Sequence, residues 1–102
     1  MVDVDWTYGA AHLRDGHQVT VPDATEALTD PDALLFDEDP KSRSGDSARL
    51  LGYSATAGVV LVVILVHKDR AGWWGANGWR ANGADQWTYR EGNMPSAKTS
   101  RR

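Results

Sequence analysis

Eight consecutive apolar residues, Val-Val-Leu-Val-Val-Ile-Leu-Val at positions 59–66, interrupt a chain that is otherwise amphipathic. A membrane span needs roughly 20 apolar residues. Eight suit a strand covered on both faces, so the run predicts a central sheet strand over 59–67. The flanking segments behave as its neighbours. Positions 48–54 place Arg49, Leu51 and Tyr53 on one side, and Ala-Thr-Ala-Gly at 55–58 reads as a tight hairpin connection. Asp-Arg-Ala-Gly at 69–72 is a second turn, and 73–79 is a further strand. Shorter strand-like pieces lie at 4–6 and 33–37.

Helical spacing occupies the rest. Trp6, Ala10, Leu13 and His17 recur at i, i+4, i+7 and i+11, one helical face, for a first helix over about 8–15 capped by Thr7. Gly16 is placed to end it. Thr-Val-Pro-Asp at 20–23 forms a capping box in which Asp23 replaces the usual Glu, with Pro22 in the first turn. Val21, Ala24, Ala27 and Leu28 give that second helix its apolar face, and Asp30-Pro31 ends it. Asn82, with Asp85 at N3, caps a last helix ending at Gly92. Two helices, then strands joined by short turns, then one helix predict an α+β domain. Its sheet is expected to be antiparallel, of about four strands. Residues 1–92 form the domain, and the basic tail 93–102 is expected to be disordered.

Charge changes this picture. Residues 1–40 carry ten acids against Arg14 alone, a formal −9, and residues 41–102 carry ten bases against four acids, a formal +6. The basic part suits a polyanion, since neutralised phosphates release counterions; the two parts can equally neutralise each other within one fold. The 102 residues include no cysteine, which removes disulfides and thiolate metal sites. With no basic, apolar leader at the N-terminus, a cytoplasmic protein without membrane attachment is expected.

Candidate chemistry is sparse. No phosphate-binding glycine loop occurs, and Gly72, Gly75 and Gly78 between tryptophans point to close packing or strand bending. His12 and His17 are five apart, off the three-or-four spacing of one helical face, so no metal pair is read there. Asp-Glu-Asp at 37–39 reads as a solvated loop. Metal-free RNA cleavage needs a base for the 2′-hydroxyl, cations for the charged phosphorane and an acid for the leaving oxygen. His17, His67, Lys41, Arg43, Arg80 and Tyr89 are the side chains of suitable type. Strict alternation puts Trp73, Gly75, Asn77 and Trp79 on one side of their strand. That side is either a platform for bases or a packed sheet face.

The order of motifs resembles the BrnT toxin family. Trp6, then Ala-His-Leu-Arg-Asp-Gly-His-Gln-Val-Thr at 11–20, then Ala-Thr-Glu-Ala-Leu-Thr-Asp-Pro at 24–31, are similar to that family's Trp-Asp, Asn/His-Leu-x-x-His-Gly-Val and acidic helix ending near Asp-Pro. Asn-Gly-Trp-Arg-Ala-Asn-Gly-Ala-Asp-Gln-Trp-Thr-Tyr at 77–89 is similar to its Ser-Ala-Arg-x-Ala-Ser-x-x-Glu-Arg-x-x-Tyr. The resemblance spans about residues 3–91. It implies a RelE-like fold and a toxin that cleaves RNA, arrests translation and is held by a BrnA-like antitoxin, with no metal or organic cofactor. Ala81, Asn82, Asp85, Tyr89 and His17 match family positions. The family arginine before x-Ala-Ser falls on Trp79, with Arg80 one place later, and the arginine after Glu falls on Gln86. The catalytic candidates are therefore Arg80, Tyr89, His17 and Arg43, and the RNA-binding candidates Lys41, Trp73, Asn77, Trp79 and Asn82. The alternative is a non-catalytic module that binds a protein or peptide along the Trp73–Trp79 strand.

Overall fold

The computed structural model describes residues 4–37, 47–68 and 72–92, apart from the side chain of His17. The expected tail 93–102 lies outside the described residues. Elements follow in the order β1 (Val4–Asp5), α1 (Ala10–His17), α2 (Val21–Leu28), β2 (Leu34–Phe36), β3 (Ser47–Ser54), β4 (Val59–His67), β5 (Trp73–Arg80) and α3 (Gly83–Gly92). The α+β class holds, but the sheet has five strands, ordered β1-β5-β4-β3-β2, and is mixed. β1 runs parallel to β5, pairing Val4 with Trp73 and Asp5 with Trp74. The expected four antiparallel strands are β2 to β5, and the expectation fails at one edge, where β1 is added. Two helices separate β1 from β2, so the chain crosses the sheet and β1 adds to the far edge in the parallel sense.

β4 lies in the middle of the sheet, as its unbroken apolar run requires. Leu61, Val62, Val63 and Leu65 are fully buried. The strand serves two cores because its successive side chains point to opposite faces. On one face, Leu61, Val63 and Leu65 join Leu13, Val19, Ala24, Ala27 and Leu28 beneath α1 and α2. On the other, Val60 and Val62 join Leu51 and Ala81, flanked by Leu34, Trp79 and Tyr89 on the α3 side.

Local chemistry sets the helix ends. The Thr20–Asp23 capping box forms in both directions. α1 begins later than Thr7 predicts, because the Thr7 backbone N–H and hydroxyl both donate to Asp5 and Gly9 becomes the N-cap without a side-chain bond. Gln18, left-handed at φ 57°, ends α1 in place of Gly16. Glu26 on α2 accepts from Ser54 Oγ at 2.7 Å, Thr56 N at 2.8 Å and Thr56 Oγ1 at 2.6 Å, which fastens the β3–β4 hairpin to the helix. The Thr56 hydroxyl and N–H, then Ser54, hold the Glu26 carboxyl below its ordinary range.

β5 contains a bulge. Ile64 pairs with Asn77 but Leu65 with Gly75, leaving Ala76 without a partner on β4. One extra residue reverses the faces on either side of it. Trp73 therefore packs with the α1/α2 core and Trp79 with the other. Strict alternation, which put Trp73 and Trp79 on one side, is overturned. The bulge also explains the glycine spacing, because Gly75 and Gly78 now share a face. A Cβ on Gly75 would sit 2.4 Å from Trp6 Cδ2, and one on Gly78 2.9 Å from Leu13 Cδ2.

Candidate functional site

The C-terminal segment of the resemblance, 77–89, folds as the end of β5 and most of α3. Asn82 caps the helix by accepting from Asp85 N at 2.9 Å, so its side-chain oxygen is committed to the backbone. Asp85 turns toward β3, where Arg49 Nη1 lies 3.6 Å from its carboxylate. The Arg49 guanidinium also lies 5.7 Å from the Trp79 ring centre. Both charged side chains are largely buried, at 11% and 16% exposure. A cation held over an aromatic face beside a carboxylate is well compensated there.

Tyr89 faces the same core. Its hydroxyl donates to Asp30 Oδ2 at 2.6 Å, and that oxygen also accepts from Tyr53 N at 2.8 Å. Asp30 Oδ1 accepts from Asp32 N at 2.9 Å. Burial opposes the Asp30 charge, but the bonds from Tyr89, Tyr53 and Asp32 outweigh it and hold the carboxyl below its usual range. For Tyr89, burial first and then the Asp30 carboxylate push the phenol well above its ordinary value. This phenol keeps its proton and spends it on Asp30, which makes it a tie between α3 and the end of α2.

Arg80 stands apart. It pairs with Leu61, whose side chain belongs to the α1/α2 core, so it leaves the strand on the side opposite Trp79. It is exposed, and Asp85, the nearest acid along the chain, is engaged by Arg49. Arg80 and Tyr89 do not converge. Asn77 is partly buried at the bulge, where its Oδ1 accepts from Gly78 N at 2.9 Å. Lys41, Arg43 and the His17 side chain lie outside the described residues. Among the described residues, no three His, Asp or Glu side chains gather as metal ligands.

Two constellations escape sequence reasoning. At the end of the sheet where β2 stops, His67 Nε2 lies 3.1 Å from Asp37 Oδ1. The His67 ring rests on Trp73, with centres 4.3 Å apart and planes 31° from parallel. Asp37 reads as part of a solvated acidic run, and only the pairing of β2 with β3 and of β3 with β4 brings it to His67. At the β1 edge, Lys68 Nζ lies 3.0 Å from Asp5 Oδ2 and 4.6 Å from the Trp74 ring centre. Tyr8 meets the same indole at 5.2 Å. The Thr7 hydroxyl and N–H, followed by Lys68, bring the Asp5 carboxyl down to about 2. Beside this edge, Tyr8, His12, Val66, Trp74 and Ala76 line a cleft of about 430 Å³.

Among the described residues, no helix is long and apolar enough to cross a membrane. No protein-family model matches the chain, and no curated protein is detectably similar to it.

Proposed function

We propose that this chain is the toxin-like member of a BrnT/RelE-type toxin–antitoxin pair, a metal-independent endoribonuclease that acts on RNA in the cytoplasm and slows translation. The observation that supports the reading is Arg49 over Trp79. The resemblance expects a cation at position 79, and the sequence has an indole there. β3 supplies a guanidinium to that place from across the sheet, next to Asp85 of the same motif. On this reading a half-hidden cation, carboxylate and indole stand where the resemblance expects an arginine, drawn from different elements. A DNA-binding antitoxin of the BrnA type is the partner this reading requires.

The alternative, a peptide-binding module on the Trp73–Trp79 strand, draws no support from two tryptophans packed on opposite faces. Controlled expression in cells, with and without the protein encoded beside it, tests the proposal. Growth arrest with new RNA 5′ ends, relieved by the neighbour, is the expected result. Unaffected growth with intact RNA, together with no cleavage by the purified chain, sinks it.

A further inference from the structure

We propose that His67, oriented by Asp37 and braced by Trp73, is the general base that starts RNA cleavage. The proposal rests on the RNA-directed reading above and places its proton-transfer centre at the end of β4, away from the Arg49–Asp85 pair. Three observations carry it. His67 Nε2 is 3.1 Å from Asp37 Oδ1, which favours the tautomer with hydrogen on Nε2 and the lone pair on Nδ1. The Trp73 ring, 4.3 Å away and 31° from parallel, supports the imidazole from one face and restricts its rotation. The His67 side chain is 54% exposed and the Asp37 side chain 66%, so a polymer can reach them. A base, an orienting carboxylate and a third group limiting motion form the arrangement that activates a hydroxyl.

Tyr89, Arg49 and Lys68 are already engaged: Tyr89 donates to Asp30, Arg49 is held by Asp85, and Lys68 is held by Asp5. Among the described residues, no partner is found for His67 Nδ1.

The step balances with water alone. His67 Nδ1 takes the proton of a ribose 2′-hydroxyl. The 2′-oxygen bonds to the adjacent phosphorus as the bond to the 5′-oxygen breaks. The 5′-oxygen takes a proton from water, and the imidazolium returns its own to solvent. The products are a 2′,3′-cyclic phosphate and a free 5′-hydroxyl. Asp37 is a positioning residue in this scheme.

The test uses the full chain and a fluorescent RNA oligonucleotide, beside the same oligonucleotide with 2′-deoxyribose at the cleaved position. Wild type should cut the first, leave cyclic phosphate ends and spare the second. His67→Ala and the polar His67→Gln should each fall about 10²-fold in rate while remaining folded. Asp37→Asn should change the nitrogen-15 tautomer signature of His67 and slow cleavage with it, whereas a carboxylate serving only the fold would leave the rate of the folded variant unchanged. If wild type cuts and both His67 variants cut equally well, the base assignment is overturned and the RNA reading stands. If wild type leaves RNA intact, the RNA reading fails and takes the assignment with it. Cleavage of the deoxy substrate as fast as the ribose one overturns the 2′-hydroxyl chemistry and, with it, this proposal.

Discussion

Tyr89 and Asp30, fifty-nine positions apart, are joined by a 2.6 Å hydrogen bond that fastens the last helix to the chain leaving α2. α3 has no fully buried residue. Its attachment therefore depends on a few specific contacts more than on an apolar face. This bond and the Arg49–Asp85 pair are two of them.

Tyr89→Phe keeps the ring and removes the donor. It should cost about 1–2 kcal/mol, because a carboxylate that loses one of its hydrogen bonds is left less satisfied. Asp30 retains the Tyr53 and Asp32 backbone donors, which limits the loss. Urea unfolding measures it. If stability is unchanged and RNA cleavage instead drops a hundredfold, Tyr89 belongs to the reaction and not to the fold.

Acid should weaken the fold through three carboxylates. Asp5, Glu26 and Asp30 all titrate below their unfolded values. A depressed carboxyl contributes stability above the unfolded value and loses it as pH falls through the folded one. For Asp5 that window runs from 3.8 down to about 2. Thermal melting should stay level from pH 7 to about 5 and then fall steadily. Asp5→Asn should melt with a shallower acid dependence than wild type; an identical slope would show that Asp5 contributes nothing to it.

Packing beneath α2 should tolerate no methyl at position 52. A Cβ on Gly52 would lie 2.1 Å from the Ala27 carbonyl oxygen, and a backbone atom cannot swing aside as a side chain can. Gly52→Ala should cost about 3 kcal/mol. Gly16→Ala, where a Cβ meets nothing within 4 Å, is the matched control and should stay close to wild type.

Within β4, Leu61→Ala should cost more than Ile64→Ala. Leu61 is fully buried and Ile64 only partly. Loss of Leu61 leaves a cavity costing about 2–5 kcal/mol, whereas Ile64 should fall at or below the lower end. Equal losses in denaturant unfolding would contradict the unequal covering of the two faces.

Arg80→Ala should leave stability within about 0.5 kcal/mol, since exposed positions rarely matter to the fold. If Arg80 meets RNA phosphates, the variant should bind RNA more weakly and with a smaller salt dependence. A binding isotherm and salt slope identical to wild type remove Arg80 from the interface.

How much of this was legible without the structure differs by element. The run at 59–66 announced β4 because burial on both faces leaves no room for polar residues. The Thr20–Asp23 and Asn82–Asp85 caps were legible because a cap is a local, side-chain-to-backbone event. β1 and β2, at two and three residues, carry too little pattern to reveal which edge or direction they take. Period-two counting puts Trp73 and Trp79 on one face because it cannot register the unpaired Ala76. His67 was recognisable as chemistry, but its partner Asp37 lies thirty positions away and meets it only through the strand order. Arg49 was visible as a cation, and only pairing across β3, β4 and β5 sets it over Trp79.

The parallel pairing of β1 with β5 bears on how the molecule is made. Val4 meets Trp73, so the first strand must wait for nearly seventy residues of chain before its partner exists. During synthesis the N-terminal segment emerges first and can form only local structure, α1 and the well-capped α2. The hairpin of β3 and β4 closes next through neighbouring residues. The seat for β1 is completed only with β5, after which Lys68 can reach Asp5. Closure at such a distance is expected to be a slow step of assembly, because loop entropy must be overcome before the contact rewards it. Until then Trp6 has no Gly75 to lie against, and an unburied indole near the N-terminus is what a chaperone or a premature partner would encounter.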